Sequence, residues 1–189
     1  MTAQIHNAAG RLPALRNRRF AGLIAAAALL PALCAQIAFA QGTVRGSFGD
    51  WEHRCEAGAD VNSENCILYQ NVADDQNAQF NLVIVVIKIT DAANRGNSDR
   101  RPVLRVIAPL GVLLPRGLGL KIDTKDVGTT GFVRCVQSGC VAEADMDAGL
   151  VRDFSAGETA LFSIFQTETE GKGLPINLKG FADGLKALK

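Results

Sequence analysis

Two cysteines, Cys135 and Cys140, enclose only Val-Gln-Ser-Gly, and joining them dictates a reversal of the chain. With Gln137 and Ser138 as a two-residue hairpin loop, Val136 faces Gly139 and Cys135 faces Cys140. The pair beside the loop is hydrogen-bonded and the next pair out is not, which brings opposed Cα atoms to about 4.5 Å. A disulfide accepts about 4.4–6.8 Å, so the sulfurs meet without moving the backbone. Such a bridge closes a small loop, and its stabilisation falls below the roughly 3 kcal/mol estimated for a 15-residue loop.

Whether these thiols are oxidised depends on where the chain resides, and residues 1–40 read as an address. They hold Arg11, Arg16, Arg18 and Arg19 and no acidic residue, and an apolar run follows over residues 20–33. The stretch closes on Ala38-Phe39-Ala40. Basic region, apolar region and small-x-small site together predict a signal peptide over residues 1–40 and a mature domain over residues 41–189. The apolar run is short against the roughly 20 residues of a membrane span, and Pro31 interrupts it. Phe-Ala-Gly after Arg18-Arg19 matches a twin-arginine signal poorly, and Leu33 before Cys34 is too large for lipid attachment at that cysteine. The expected location is the periplasm, the exterior or the outer membrane.

Removing residues 1–40 leaves 16 Lys and Arg against 19 Asp and Glu, a net charge of −3. That balance argues against broad phosphate neutralisation, and hence against a nucleic-acid partner. Four cysteines remain, Cys55, Cys66, Cys135 and Cys140; in an exported chain an even count reads as disulfides. Of three possible pairings the local one, Cys55–Cys66 with Cys135–Cys140, is favoured, because each pair brackets a turn-rich segment. The spacings do not resemble zinc knuckles, and they lack the C-x-x-C of a redox pair. His53 is the sole remaining histidine. A catalytic thiol at Cys55 with His53 as base is disfavoured, since a disulfide would consume that thiol. No metal, no cofactor and no catalytic residue is expected.

Residues 51–55 alternate, with Trp51, His53 and Cys55 on one face, as in a half-buried strand. Residues 67–72 form another strand. Residues 81–90, Asn-Leu-Val-Ile-Val-Val-Ile-Lys-Ile-Thr, are dense in β-branched side chains and predict a strand covered on both faces. A polar, exposed connection is expected over 91–101. Strands follow at 103–107 and 118–122, separated by an apolar loop; three prolines and three glycines in 102–123 forbid a continuous helix, and Arg105, Arg116 and Lys121 exclude a membrane span. Residues 123–128 read as a turn and 132–144 as a hairpin. Met146, Leu150 and Phe154 recur every four residues, with Asp145 as cap and Gly157 just past the end, so a short helix is expected. Residues 158–166 and 174–178 return to strand, and Phe181, Leu185 and Leu188 share one face of a final short helix. Many short strands and few helices indicate an all-β antiparallel sandwich or barrel.

The runs Phe48-Gly-Asp-Trp51, Val103-Leu-Arg-Val-Ile-Ala-Pro-Leu-Gly-Val-Leu-Leu-Pro115 and Gly117-Leu-Gly-Leu-Lys-Ile-Asp123 resemble the invasion-associated locus B (IalB) family. So do Phe132-Val-Arg-Cys135, Ser138-Gly-Cys-Val141, Ile164-Phe-Gln166 and Leu178-Lys-Gly-Phe-Ala-Asp-Gly-Leu185. The similarity spans about residues 44–188. It implies an exported bacterial domain with an immunoglobulin-like β-sandwich, in a family linked to host-cell attachment or invasion. Members also occur in bacteria that invade nothing, and the family supplies no catalytic residues.

Three functions compete. The first is a non-enzymatic envelope or surface protein that binds a protein or envelope component through the apolar loop 108–117, with Leu110, Val112, Leu113 and Leu114 as interface; the same residues could instead cap the core. The second is a hydrolase using Asp145 with Asp147, or Asp74 with Asp75; solvated turns and caps explain these carboxylates as well. The third is a carbohydrate-binding module with Trp51 as aromatic platform. A Trp beside a half-cystine on a sandwich strand more often packs in the core.

Overall fold

The computed structural model describes residues 42–58, 63–89 and 100–188. The expected signal peptide, Cys34 and all but the last two residues of the 91–101 connection lie outside them. In chain order the strands of the first half are β1 (Thr43–Phe48), β2 (Trp51–Ala57), β3 (Glu64–Ala73), β4 (Asn81–Ile89) and β5 (Arg101–Ala108). There follow β6 (Leu118–Ile122), β7 (Lys125–Thr130), β8 (Phe132–Val136), β9 (Gly139–Asp145), α1 (Ala148–Ala156), β10 (Thr159–Phe165), β11 (Gly171–Asn177) and α2 (Phe181–Ala187). Seven strands form one antiparallel sheet in the order β1-β2-β3-β4-β5-β9-β8, and four form a second in the order β11-β10-β6-β7. The expected all-β architecture of two sheets with two short helices is observed.

β4 lies at the middle of the larger sheet, and its side chains alternate as a pleated strand requires. Leu82, Ile84 and Val86 are fully buried between the sheets. Facing them from the smaller sheet are Phe162 and Ile164 of β10 and Leu174 and Ile176 of β11, all within one core. Burying each such side chain stabilises by about 1.5–3 kcal/mol. Coverage of both faces of β4 is met only at its centre. Val85 is buried, whereas Val83 and Ile87 are half-buried. A ladder of cross-strand neighbours covers Val85 on that face. Tyr69, Val85, Arg105 and Glu143 stand in register across four strands. Arg105 Nε donates to Glu143 Oε1 at 2.8 Å, and the Arg54 guanidinium lies 3.8 Å from the Tyr69 ring centre.

Both cysteine pairs stand directly opposite each other in their ladders, Cys55 against Cys66 and Cys135 against Cys140. Each is at bonding distance, and the Cα separations are 4.1 and 3.9 Å, somewhat closer than the 4.5 Å anticipated for a non-hydrogen-bonded pair. The loop between β8 and β9 is the two residues expected, Gln137 and Ser138.

Two local expectations need correction. Asp145 is not the cap of α1: it ends β9, opposite Val103, and pairs with Arg101. The cap is Asp147, whose Oδ1 accepts from the Leu150 backbone N–H at 2.7 Å, and Met146 is buried ahead of the helix. The turn expected over 123–128 shrinks to Asp123-Thr124, and residues 125–130 are the edge strand β7. Asp123 takes a φ of 50°, a left-handed conformation that Asp tolerates. Its carboxylate accepts from the N–H of Thr159 at 2.9 Å, tying this turn to the start of β10.

The two sheets are locked at one end by residues far apart in sequence. Trp51 Nε1 donates to the Asn177 carbonyl at 3.1 Å, and Asn177 Nδ2 donates to Asp50 Oδ2 at 3.0 Å. The Trp51 ring meets Phe181 edge-on with centres 5.4 Å apart, and Phe154 meets Phe181 at 5.1 Å. Backbone approaches backbone beside them. Gly180 has a φ of 93°, and a Cβ there would stand 2.2 Å from the Phe48 carbonyl oxygen. Gly180→Ala is therefore expected to cost about 2 kcal/mol or more, measured by urea denaturation. For the disulfides, replacing Cys135 and Cys140 together by Ala should destabilise less than replacing Cys55 and Cys66. The sequence separations of 5 and 11 differ about twofold, worth about 0.6 kcal/mol of closure entropy, and denaturation of the two double variants gives the order.

Candidate functional site

The chain passes from the larger sheet to the smaller through residues 109–117, which must round one end of the sandwich. Pro115 and a single 3-10 turn at Leu114–Arg116 shape the segment, and the Leu113 N–H donates to the Phe165 carbonyl at 2.7 Å. The four interface candidates separate. Val112 is 9% exposed and belongs to the core, so it is not available to a partner. Leu113 is half-buried. Leu110 and Leu114 remain 59% and 48% exposed. Val112 thus acts as an anchor that fixes the loop while its two leucine neighbours face outward.

The same loop borders a cleft of about 620 Å³ on the outer face of the smaller sheet. Pro115 and Arg116 contribute from the loop, Lys121, Leu161 and Phe165 from β6 and β10, and Asp126 from β7, so both signs of charge border it. The Arg116 guanidinium lies 4.4 Å from the Phe165 ring centre, which holds a cation over an apolar floor. Gly119 adds no side chain to its floor. Arg116 and Lys121 figured in the sequence only as charges against a membrane span, and Phe165 was not singled out. For Phe165 the alternation of residues 159–165 was the available signal, since it sends Leu161 and Phe165 to the face opposite Phe162 and Ile164.

The other candidates occupy structural positions. The Trp51 indole is wholly buried and satisfied by Asn177, which removes it as a sugar platform. His53 Nε2 lies 3.5 Å from Cys55 Sγ. His53, Cys55 and Cys66 form the one group of three metal-ligating types in reach of each other among the described residues, but both sulfurs are bonded to each other, leaving the imidazole as the sole free donor. Asp147 caps α1, and Asp145 pairs with Arg101. Asp74 accepts from the N–H groups of Gln76 at 2.7 Å and Asn77 at 3.1 Å and pairs with Lys172; Asp75 is exposed. Neither carboxylate pair therefore converges on a shared opening as acid–base work requires.

Fold and surface define an all-β domain with two cross-strand disulfides, whose distinctive accessible feature is an apolar loop beside a cation-bearing cleft. The chain belongs to the invasion associated locus B (IalB) family, whose model matches residues 51–189. It is 24% identical over 179 residues to an Invasion protein B homolog of Brucella abortus (strain 2308), covering 93% of this chain and 98% of that protein. A homolog from Brucella abortus biovar 1 (strain 9-941) matches at the same identity and coverage. The crystal structure of invasion associated protein b from Bartonella henselae shares the fold, with a TM-score of 0.60 at 21% identity, over 75% of this chain and 91% of that one. Among the described residues no helix is long and apolar enough to cross a membrane.

The side-chain bond from Lys172, aided by the Gln76 N–H, holds the Asp74 carboxyl below its ordinary value. A depressed carboxyl stabilises the fold above its unfolded pKa and loses that contribution as pH falls through the folded value. Asp74→Asn keeps an acceptor for the two N–H groups but drops the charge. Its unfolding midpoint should fall below the parent's at pH 7, and the gap should close below about pH 4. A gap independent of pH would show that the charge contributes nothing.

Proposed function

We propose that this chain is an exported, non-enzymatic envelope or surface protein that acts by binding a protein or other envelope component through the 108–117 loop and the adjoining cleft. The observation that carries the reading is the split within the loop. Leu110 and Leu114 stay exposed on a segment pinned by Val112, so the apolar surface is held out by a fixed backbone. Apolar side chains at the centre of a contact and a polar rim are the usual distribution for an interface; Arg116, Lys121 and Asp126 supply the polar rim here. The relatives' names supply the setting, an Invasion protein B homolog and an invasion associated protein b of two bacteria. The two disulfides agree with an oxidising compartment, and residues 1–40 supply the export signal.

The test has two arms. Amino-terminal sequencing of the protein recovered from fractionated cells should begin at Gln41; recovery of unprocessed protein in the cytosol would refute export. Cross-linking of intact envelopes should yield an adduct with the wild-type protein that Leu110→Ser/Leu114→Ser reduces at least tenfold at unchanged unfolding temperature. Val112→Ala should instead lower stability by about 0.5–2 kcal/mol. A folded loop variant that cross-links as the parent does would refute the surface.

A further inference from the structure

β7 is an edge strand of the smaller sheet, and its pairing with β6 slips by one residue. Leu120 faces Gly128 while Lys121 faces Asp126, so Val127 is the extra residue of a bulge. A bulge bends its strand and increases the local twist. Along this bend the sandwich holds a pocket of about 200 Å³ that is open to solvent on one side. Leu104, Val106, Ala142 and Ala144 wall it from the larger sheet, Leu120 and Phe162 from the smaller, and Leu150 of α1 closes it further. Val127 and Thr129 also line it and are exposed, so the opening lies along β7. Thr130 Oγ1 donates to the Glu143 carbonyl at 3.0 Å, which keeps β7 fastened to β9.

The residue types explain the void. Ala142 and Ala144 are small where they face the other sheet, and Gly128 has no neighbour within 4 Å of where a Cβ would stand. Packed interiors hold few spaces larger than a water molecule. No lining residue carries a charge, and the single unpaired buried side-chain atom among the described residues, Gln70 Oε1, is not part of the wall.

We propose that this cavity binds the uncharged end of a linear alkyl chain, with the chain's head group left at the exposed β7 edge beside Thr129. An apolar cavity of about 150 Å³ stays dry and accepts a six-carbon ring; the somewhat larger volume here suits about six to eight carbons by the same comparison. The absence of charge in the wall excludes a carboxylate or ammonium from the interior, because neither would find a partner to offset its desolvation. Leu, Val and Ala make up most of the wall, with Phe162 its one ring, which favours an aliphatic occupant over an aromatic one. Leu110 and Leu114 do not line this cavity, so it stands apart from the binding surface of the loop.

Calorimetric titration of the oxidised protein with 1-butanol, 1-hexanol, 1-octanol and 1-decanol tests the site. Affinity should rise about fourfold per methylene and level off between hexanol and decanol. Ala142→Leu fills the space and should weaken octanol binding at least tenfold without lowering the unfolding temperature. Should that variant fail to fold, Ala144→Leu at the half-buried rim serves in its place. Leu110→Ser/Leu114→Ser should bind octanol as the parent does. Affinities that ignore chain length, or a folded cavity variant that binds normally, would overturn the assignment. Benzene binding more tightly than 1-hexanol would overturn the alkyl occupant in favour of an aromatic one.

Discussion

Trp51 places its whole indole between the two sheets, and its N–H reaches the Asn177 carbonyl on the far side. Through this one side chain the second strand of the larger sheet is fastened to the last strand of the smaller. Phe181 continues the contact into α2 and Phe154 into α1, so both helices are gathered at the same point. Beside the rings the backbone of Gly49 approaches that of Lys179 and the backbone of Gly180 that of Phe48. A polar atom buried this deeply is costly unless bonded, and Asn177 supplies both the carbonyl for Trp51 and the amide for Asp50. The β1–β2 turn and the passage from β11 into α2 both lie at this corner.

The accessible features follow from how the chain moves between sheets. It crosses at residues 109–117, again near Gly131, and a third time through α1. Only the first crossing carries a run of leucines, and a loop rounding the end of a sandwich can bury just some of them. Val112 takes the inward place and leaves Leu110 and Leu114 outside. The second crossing lies beside a bulged edge strand, and the sandwich is less completely filled there.

Strand positions with strong alternation were legible in the sequence. Trp51–Ala57 and Thr159–Phe165 have one face that must be buried, and the period-two pattern records it; Asn81–Ile89 was legible instead from its run of β-branched residues. The hairpin closed by Cys135 and Cys140 was legible because two cysteines so near each other allow little else. β1 and β7 were not legible: Thr-Val-Arg-Gly-Ser-Phe and Lys-Asp-Val-Gly-Thr-Thr are mostly exposed edge strands held by backbone pairing, which leaves weak traces in side-chain type. The apolar loop was recognised as a unit, but its division into anchor and exposed residues depends on where the smaller sheet lies. The cleft cations Arg116 and Lys121 and the cavity behind β7 depend on pairing between segments distant in sequence. No local pattern encodes them.

Among the described residues the first cysteine is bonded to the second and the third to the fourth. Of the three connectivities open to four cysteines, this is the one in which no partner has to wait for a distant segment to arrive. A polypeptide oxidised in the order of its synthesis reaches the native connectivity with every first bond correct. Sequential oxidation toward this connectivity calls for no reshuffling of wrongly paired thiols, a step that takes seconds to hours where bridges cross.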